Sequence, residues 1–399
     1  MLNRVNEKAP ITVALLTGGS SDGYQVGLVS GLLDSGVEIE CVGGDGLSVH
    51  PIFTRKGVKF FNLRGSTDSN ASFSQKAWRI IRYYVRLMAY SSRTRCRLFH
   101  IQWENRFVFL DRTLLIMYYK ILGKRLVLTA HNVNGEAREG RDSGLNRFSL
   151  RVMYTLADHI IVHTNGMRTE LFQRFGIEPA KVSVIPHGAY DTTGCSGLSQ
   201  NEARRTLSVG LDRKVILFFG AIDRYKGLDI LVESFLDLLK QDPSYMLVIA
   251  GMPKHGERYL SESMQSLHGH RQGSDFLLRP EFVPDGEREL YFAAADCLVL
   301  PYRDVSQSGV LFLSYSFGLP VIATDVGSFR EDVIDGKTGF LAPASREGLA
   351  AGIRRYFGSN LYAQLPAKRE VIRRWSQWKF DWHKIGSDTK RVYCRVAAS

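Results

Sequence analysis

The chain has 399 residues, a formal net charge of +12 and an apolar content of 44%, with no low-complexity tract and no internal repeat. It is long and apolar enough for two globular domains, which excludes a disordered or fibrous protein. Its five cysteines (Cys41, Cys96, Cys195, Cys297 and Cys394) are scattered and form no CxxC pair, so neither a disulfide framework nor a zinc site is expected and a reducing cytoplasm fits best. The N-terminal stretch offers only about six apolar residues before Gly18 and Gly19, too few for a signal-peptide core, and no segment approaches the roughly 18 apolar residues of a spanning helix. The expected location is therefore the cytoplasm, in solution or on the cytoplasmic face of a membrane.

In chain order, ITVALLTGG (11–19) reads as a buried strand running into a glycine turn. SDGYQVGLVSGLLDSG then has helical apolar spacing and VEIECVGG is a second strand, a βαβ opening. The segment Lys76–Arg125 holds twelve basic residues against Glu104 and Asp111, nearly the whole charge excess. Within it Arg79, Arg82, Arg86 and Arg93 fall at i, i+3, i+7 and i+14, one helical face. Ile81, Val85 and Met88 fall on another. This basic amphipathic helix suits an anionic membrane or an acceptor lipid diphosphate, or is a solvated face over a core stripe.

LFHIQW, RLVLTAHNV, ADHIIVHT and KVSVIPHG are further strands ending in polar residues, the pattern of parallel strands buried on both faces. His131, His163 and His187 each follow such a strand, as sugar contacts or as structural caps. The polar, Gly/Ser/Thr-rich stretch before KVILFFGAI reads as a linker over 191–212. It separates a first α/β domain (1–190) from a second (213–375), whose later strands are MLVIAG, FLLRPEFV, CLVLPY and PVIATD. An aromatic-rich helical tail (376–399) is expected to cross back to the first domain. The fold class is thus α/β, two doubly wound domains facing a cleft, with functional residues following the strands.

Two stretches carry most of the chemistry. In FFGAIDRYKGLDILVESF a strand ends at Gly220, a loop carries Arg224 and Lys226, and Gly227 opens a helix. Cations at a strand's carboxyl end beside a helix N-terminus suit a diphosphate. In SQSGVLFLSYSFGLPVIATD a loop gives way to a helix at Ser308, Gly309 and Val310, whose backbone N–H groups can reach phosphate oxygens. The loop TGGSSDGYQ lacks the GxGxxG spacing of a dinucleotide site, which opposes an NAD-dependent oxidoreductase. No nucleic-acid-binding motif accompanies the basic charge.

Gly220, Lys226-Gly227, IAG at 249–251, AADCLVLP at 294–301 and Gly318-Leu319-Pro320-Val321 occur in the order and spacing of the donor domain of retaining glycosyltransferases of the GT-B fold, family four. The chain resembles that family along nearly its whole length, most closely over 215–342. The resemblance implies two Rossmann-like domains and transfer of a hexosyl unit from a nucleoside diphosphate sugar to a saccharide or lipid-linked acceptor, in cell-surface polysaccharide synthesis. It implies no cofactor and no metal.

By the same resemblance Lys226, Arg224 and His131 are the catalytic candidates, with His131 touching the donor sugar. Gly220, Ser308, Gly309, Val310, the backbone at Val283 and the carboxylate of Glu331 would hold the donor, and Gly18 and Gly19 would line the acceptor side; Arg79, Arg82 and Arg86 are further acceptor-side candidates by the charge of their helix. The sequence departs from the family pattern in two places. Val305 and Leu313 stand where many members have a pair of glutamates, and Ala221 stands where many have an arginine. A sugar-nucleotide epimerase or an inactive nucleotide-sugar-binding relative is the alternative.

Overall fold

A computed structural model describes residues 11–18, 22–66, 72–105, 107–192, 195–254, 256–267, 269–271 and 274–398. They form two compact units: unit 1 takes Met1–Glu136, Arg141–Gly188 and Phe380–Ser399, and unit 2 takes Ala137–Gly140 and Ala189–Lys379.

Unit 1 is built on seven parallel strands: β1 (Thr12–Leu16), β2 (Glu38–Gly43), β3 (Val58–Asn62), β4 (Leu98–Ile101), β5 (Arg125–Thr129), β6 (His159–Val162) and β7 (Val182–Val184). Their order is β3-β2-β1-β4-β5-β6-β7. Strands β4 and β6 are buried at every position because helices cover both faces. The order reverses between β1 and β4, the point at which an open α/β sheet places ligands outside the carboxyl ends of its strands. Gly18 occupies that point. Its φ is +57° and a β-carbon there would collide with the Trp103 carbonyl after β4, so the two turns touch only because glycine is present.

Unit 2 repeats the plan with β8 (Lys214–Phe219), β9 (Tyr245–Ala250), β10 (Phe276–Arg279), β11 (Cys297–Leu300), β12 (Val321–Thr324) and β13 (Gly339–Ala342), ordered β10-β9-β8-β11-β12-β13. Its reversal lies between β8 and β11. Gly227, which joins the 3-10 turn Arg224–Lys226 to the helix Leu228–Gln241, has φ +69°, and a β-carbon there would strike the Pro301 carbonyl oxygen beyond β11. Gly227→Ala is therefore expected to destabilise unit 2 by ~1–3 kcal/mol, read as a lower urea midpoint at unchanged slope.

The segment 191–212 is not a free linker. It contains the helix Gln200–Thr206, opened by a Ser199/Glu202 capping box. Arg204 in that helix forms a buried ion pair with Asp296 at 2.8 Å, and Asp296 also accepts from the Val215 N–H and the Gln200 amide. Breaking a buried pair of this kind costs several kcal/mol, so the segment is fixed to unit 2. Composition misled here because polar residues serve equally as solvated linker and as partners for a buried charge.

The C-terminal tail is two helices. Leu365–Lys379 belongs to unit 2, and Trp382–Ala398 packs on the Asp22–Asp34 helix of unit 1. Ile385, Val392, Tyr393 and Val396 join the unit 1 core. The Tyr393 hydroxyl sits 2.6 Å from His100 Nδ1 in the middle of the sheet.

Candidate functional site

In unit 2, β8 delivers the chain to Gly220, and the following 3-10 turn directs Lys226 inward. Its side chain is 6% exposed. Among the described residues it has no ion-pair or hydrogen-bond partner, and the Tyr302 ring lies 5.6 Å from its ammonium. Burial holds the Lys226 pKa below the ordinary lysine value. The Asp223 carboxylate nearby offsets this only in part, and a desolvated cation so placed costs stability until an anion arrives.

The helix Gly309–Ser316 supplies a second positive element. Its N-cap, Ser308, makes no side-chain capping bond, and its Oγ lies 3.4 Å from the Tyr302 hydroxyl. The N–H groups of Gly309 and Val310 have no partner among the described residues, and the helix dipole adds to them. These features converge: a β-carbon on Gly220 would lie 3.4 Å from Lys226 Nζ and 3.1 Å from Val310 Cγ2.

Beside this anion-seeking corner is a cavity of about 300 Å³ lined by Gly220, Gly251, Val283, Gly309, Val310 and Leu313, among others. Phe282 stands at its lip, 64% exposed. Tyr190 and Arg288 supply its polar side chains, and no carboxylate among the described residues lines it. The arrangement accepts a molecule with an anionic group at one end and a flat or apolar group at the other.

The family described as Glycosyltransferase Family 4 matches residues 20–191, and that described as Glycosyl transferases group 1 matches 213–358. The chain belongs to the group 1, family 4 glycosyltransferases. Curated relatives include the D-inositol 3-phosphate glycosyltransferases of Acidothermus cellulolyticus, 30% identical over 52% of this chain and 48% of the relative, and of Kineococcus radiotolerans, 29% identical over 46% and 43%. The chain spans about half the length of the curated relatives it matches.

Similar solved structures include a sucrose-phosphate synthase from Thermosynechococcus elongatus (TM-score 0.74, 19% identity, 98% of this chain and 100% of that one). Anabaena HepE in complex with UDP and glucose gives TM-score 0.69 at 17% identity, over 97% and 100%. At these identities the likeness is one of fold, two Rossmann-like domains of the GT-B type.

Against this family background, Val305 and Leu313 fall differently. Val305 is buried, whereas Leu313 lines the cavity and presents an apolar side chain there. The catalytic candidate Arg224 and the donor candidate Glu331 lie apart from it. Arg224 turns outward, pairing with Glu262 at 3.1 Å and lying over the Tyr259 ring. Glu331 is exposed on the short helix Phe329–Asp332 and does not line the cavity. Residues two apart in a 3-10 turn point in different directions, so Lys226 faces inward while Arg224 faces out.

In unit 1, His131 follows β5 and stacks on Trp103, ring centroids 3.5 Å apart. Behind it, His163 Nδ1 lies 2.9 Å from the Ile185 carbonyl, and His163 Nε2 lies 3.0 Å from His131 Nδ1. Burial pushes the His163 pKa down to about 4 and that of His131 well below its usual value, with the neighbouring imidazoles adding to the latter. Both rings are thus neutral near pH 7. A carbonyl only accepts, so His163 carries its proton on Nδ1 and its Nε2 accepts from His131 Nδ1–H. His131 Nε2 is left as a bare acceptor, buried and without a partner among the described residues.

His187 belongs to the same aromatic cluster through Tyr24 and bonds Gly188. The Gly18 carbonyl accepts from Arg64, whereas Gly19 lies outside the described residues. Arg79 donates to the Ser66 carbonyl, Arg82 is exposed and Arg86 is half-buried on the Phe73–Arg93 helix.

Tyr190, Phe282, Arg288 and Trp103 were not singled out as site residues from the sequence. Phe282 carried a signal, an aromatic two residues before Pro284 in the segment that follows β10. Tyr190 and Arg288 carried none, since tertiary packing alone brings them to the cavity.

Proposed function

We propose that the chain moves a hexosyl unit, with retention of configuration, from a nucleoside diphosphate sugar to a hydroxyl of a saccharide or lipid-linked acceptor. The setting is cell-surface polysaccharide synthesis at the cytoplasmic face of a membrane. The carrying observation is the buried Lys226 ammonium, unpaired among the described residues, beside the open N–H groups of Gly309 and Val310. Breaking the anomeric C–O bond leaves negative charge on the diphosphate, and fixed positive groups in a desolvated corner stabilise it strongly. No protein metal is needed for that step. Phe282 and the Val283 backbone would receive the base. Arg288 and the Tyr190 hydroxyl would meet the ribose in place of the carboxylate that the family places at Leu313.

His131, with its bare Nε2, would accept a hydrogen bond from a donor-sugar hydroxyl. Its orientation would be fixed by His163, a positioning residue.

The inactive-relative reading draws on the same Leu313. Both readings are tested by thermal stability against UDP-, GDP-, ADP- and dTDP-sugars, followed by donor turnover. A shift with one nucleotide and turnover of its sugar is expected; at ligand concentrations of 100 Kd the stabilisation is about 2.7 kcal/mol. Binding without turnover on any acceptor would favour the inactive relative, and no response to any nucleotide would sink the donor site itself.

A further inference from the structure

The apolar side chains of the Phe73–Arg93 helix divide between two faces. Tyr83, Tyr84, Leu87 and Tyr90 are buried. Trp78, Ile81, Val85 and Met88 are exposed, so they are no part of the core stripe that covers the sheet. Their three- and four-residue spacing aligns them along one side of the helix. The next helical segment, 108–121, repeats the feature: Leu114, Met117 and Ile121, at i, i+3 and i+7, are exposed, and so is Phe107 just before it. The two segments adjoin. Phe107 stacks on Tyr84 with centroids 5.8 Å apart, and the Tyr118 hydroxyl donates to the Met88 carbonyl at 3.0 Å. Unit 1 thus exposes large apolar side chains along two adjoining helices, more than scattered surface residues account for.

Charge identifies what covers this face. Arg82, Arg86 and Arg93 flank the apolar stripe on its other side, the helix contains no acidic residue, and none of the three has an ion-pair partner among the described residues. A second copy of the chain across a twofold axis would set these arginines against one another. An anionic bilayer matches both halves of the surface, taking the apolar stripe into the headgroup boundary and pairing lipid phosphates with guanidinium groups. No described helix is long and apolar enough to cross a membrane, so the contact lies in the interface plane.

We propose that the exposed side of helix Phe73–Arg93, together with Leu114, Met117 and Ile121, is a lipid-docking face that seats unit 1 on an anionic bilayer. The inference deepens the membrane part of the function proposed above and is independent of the donor site.

The test is co-sedimentation of the full chain with phosphatidylcholine vesicles, with and without phosphatidylglycerol. Binding is expected only with the anionic lipid, weakening as salt rises. Ile81→Glu and Val85→Glu should each lower the partition coefficient by roughly tenfold or more, since each places a charge where an apolar side chain was buried in lipid. A vesicle-induced blue shift of tryptophan fluorescence should shrink in Trp78→Phe. The nucleotide-induced thermal shift is measured on the same variants and should persist, showing that they fold. No binding to anionic vesicles, or binding that neither glutamate changes, would overturn the proposal. So would a dimer in solution that Ile81→Glu dissociates, because the face would then belong to a protein contact. Substitution-sensitive vesicle binding without any nucleotide response would support the docking face while removing the donor reading.

Discussion

Lys226→Met is expected to lower kcat by ~10²–10³-fold and at the same time to raise the stability of the ligand-free protein. The two effects have one origin. The ammonium is buried, its pKa is held down by desolvation, and the pull of the nearby Asp223 carboxylate does not offset that burial. Methionine fills a similar volume without the charge, so the folded state is relieved of a cost on the order of 1 kcal/mol or more. The leaving diphosphate would lose its main fixed counter-charge. Steady-state turnover with the responding donor, and the ligand-free Tm, measure the two halves separately. A loss of both activity and stability would mean that Lys226 is a structural residue with a partner only the folded apo protein uses.

The second large effect is on acid stability. Burial lowers the pKa of His163 and His159 to about 4, of His100 and His187 to about 3, and of His131 well below its ordinary value. All five belong to unit 1. In the unfolded chain each titrates near 6.5, so between about 6.5 and 4 the unfolded state binds more protons than the folded one. Stability is therefore full above pH ~6.5 and falls as the pH drops through that window, by ~1.4 kcal/mol per pH unit for each histidine that stays neutral. Urea midpoints measured from pH ~7.5 to ~4.5 should decline steeply. His163→Gln should reduce the slope by roughly one proton. An unchanged slope would show that His163 protonates in the native state, and the assignment of His131 Nε2 as a bare acceptor would fall with it.

Much of the fold was legible because parallel strands buried on both faces write themselves as continuous apolar runs ending in glycine or polar residues. ITVALLTGG, KVILFFGAI and CLVLPY could be placed without any tertiary information. Gly220, Lys226 and Gly309 were legible for a related reason: each sits at a strand end or helix start, where position along the chain fixes position in space. Direction was not legible. Arg224 and Lys226 are two residues apart in one turn, yet one meets Glu262 and the other is buried.

The helix at 73–93 shows the same limit, since its sequence carries two apolar stripes and only packing decides which one the sheet covers. The segment 191–212 hid a partner 92 residues away, because the need of Asp296 for Arg204 leaves no local trace. His163 read as a cap, and its hold on His131 appears only once β5 and β6 are paired.

Unit 1 is discontinuous: its last helix, Trp382–Ala398, is reached only after all of unit 2. During synthesis the first seven strands emerge early, yet the hydroxyl that meets His100 and the side chains that cover the Asp22–Asp34 helix arrive only with the last helix, Trp382–Ala398, at the far end of the chain. Unit 2, being continuous apart from Ala137–Gly140, can condense while unit 1 still waits with an open face. A nascent chain stalled before residue 382 would thus carry one nearly finished domain and one uncovered core, the state most in need of a chaperone.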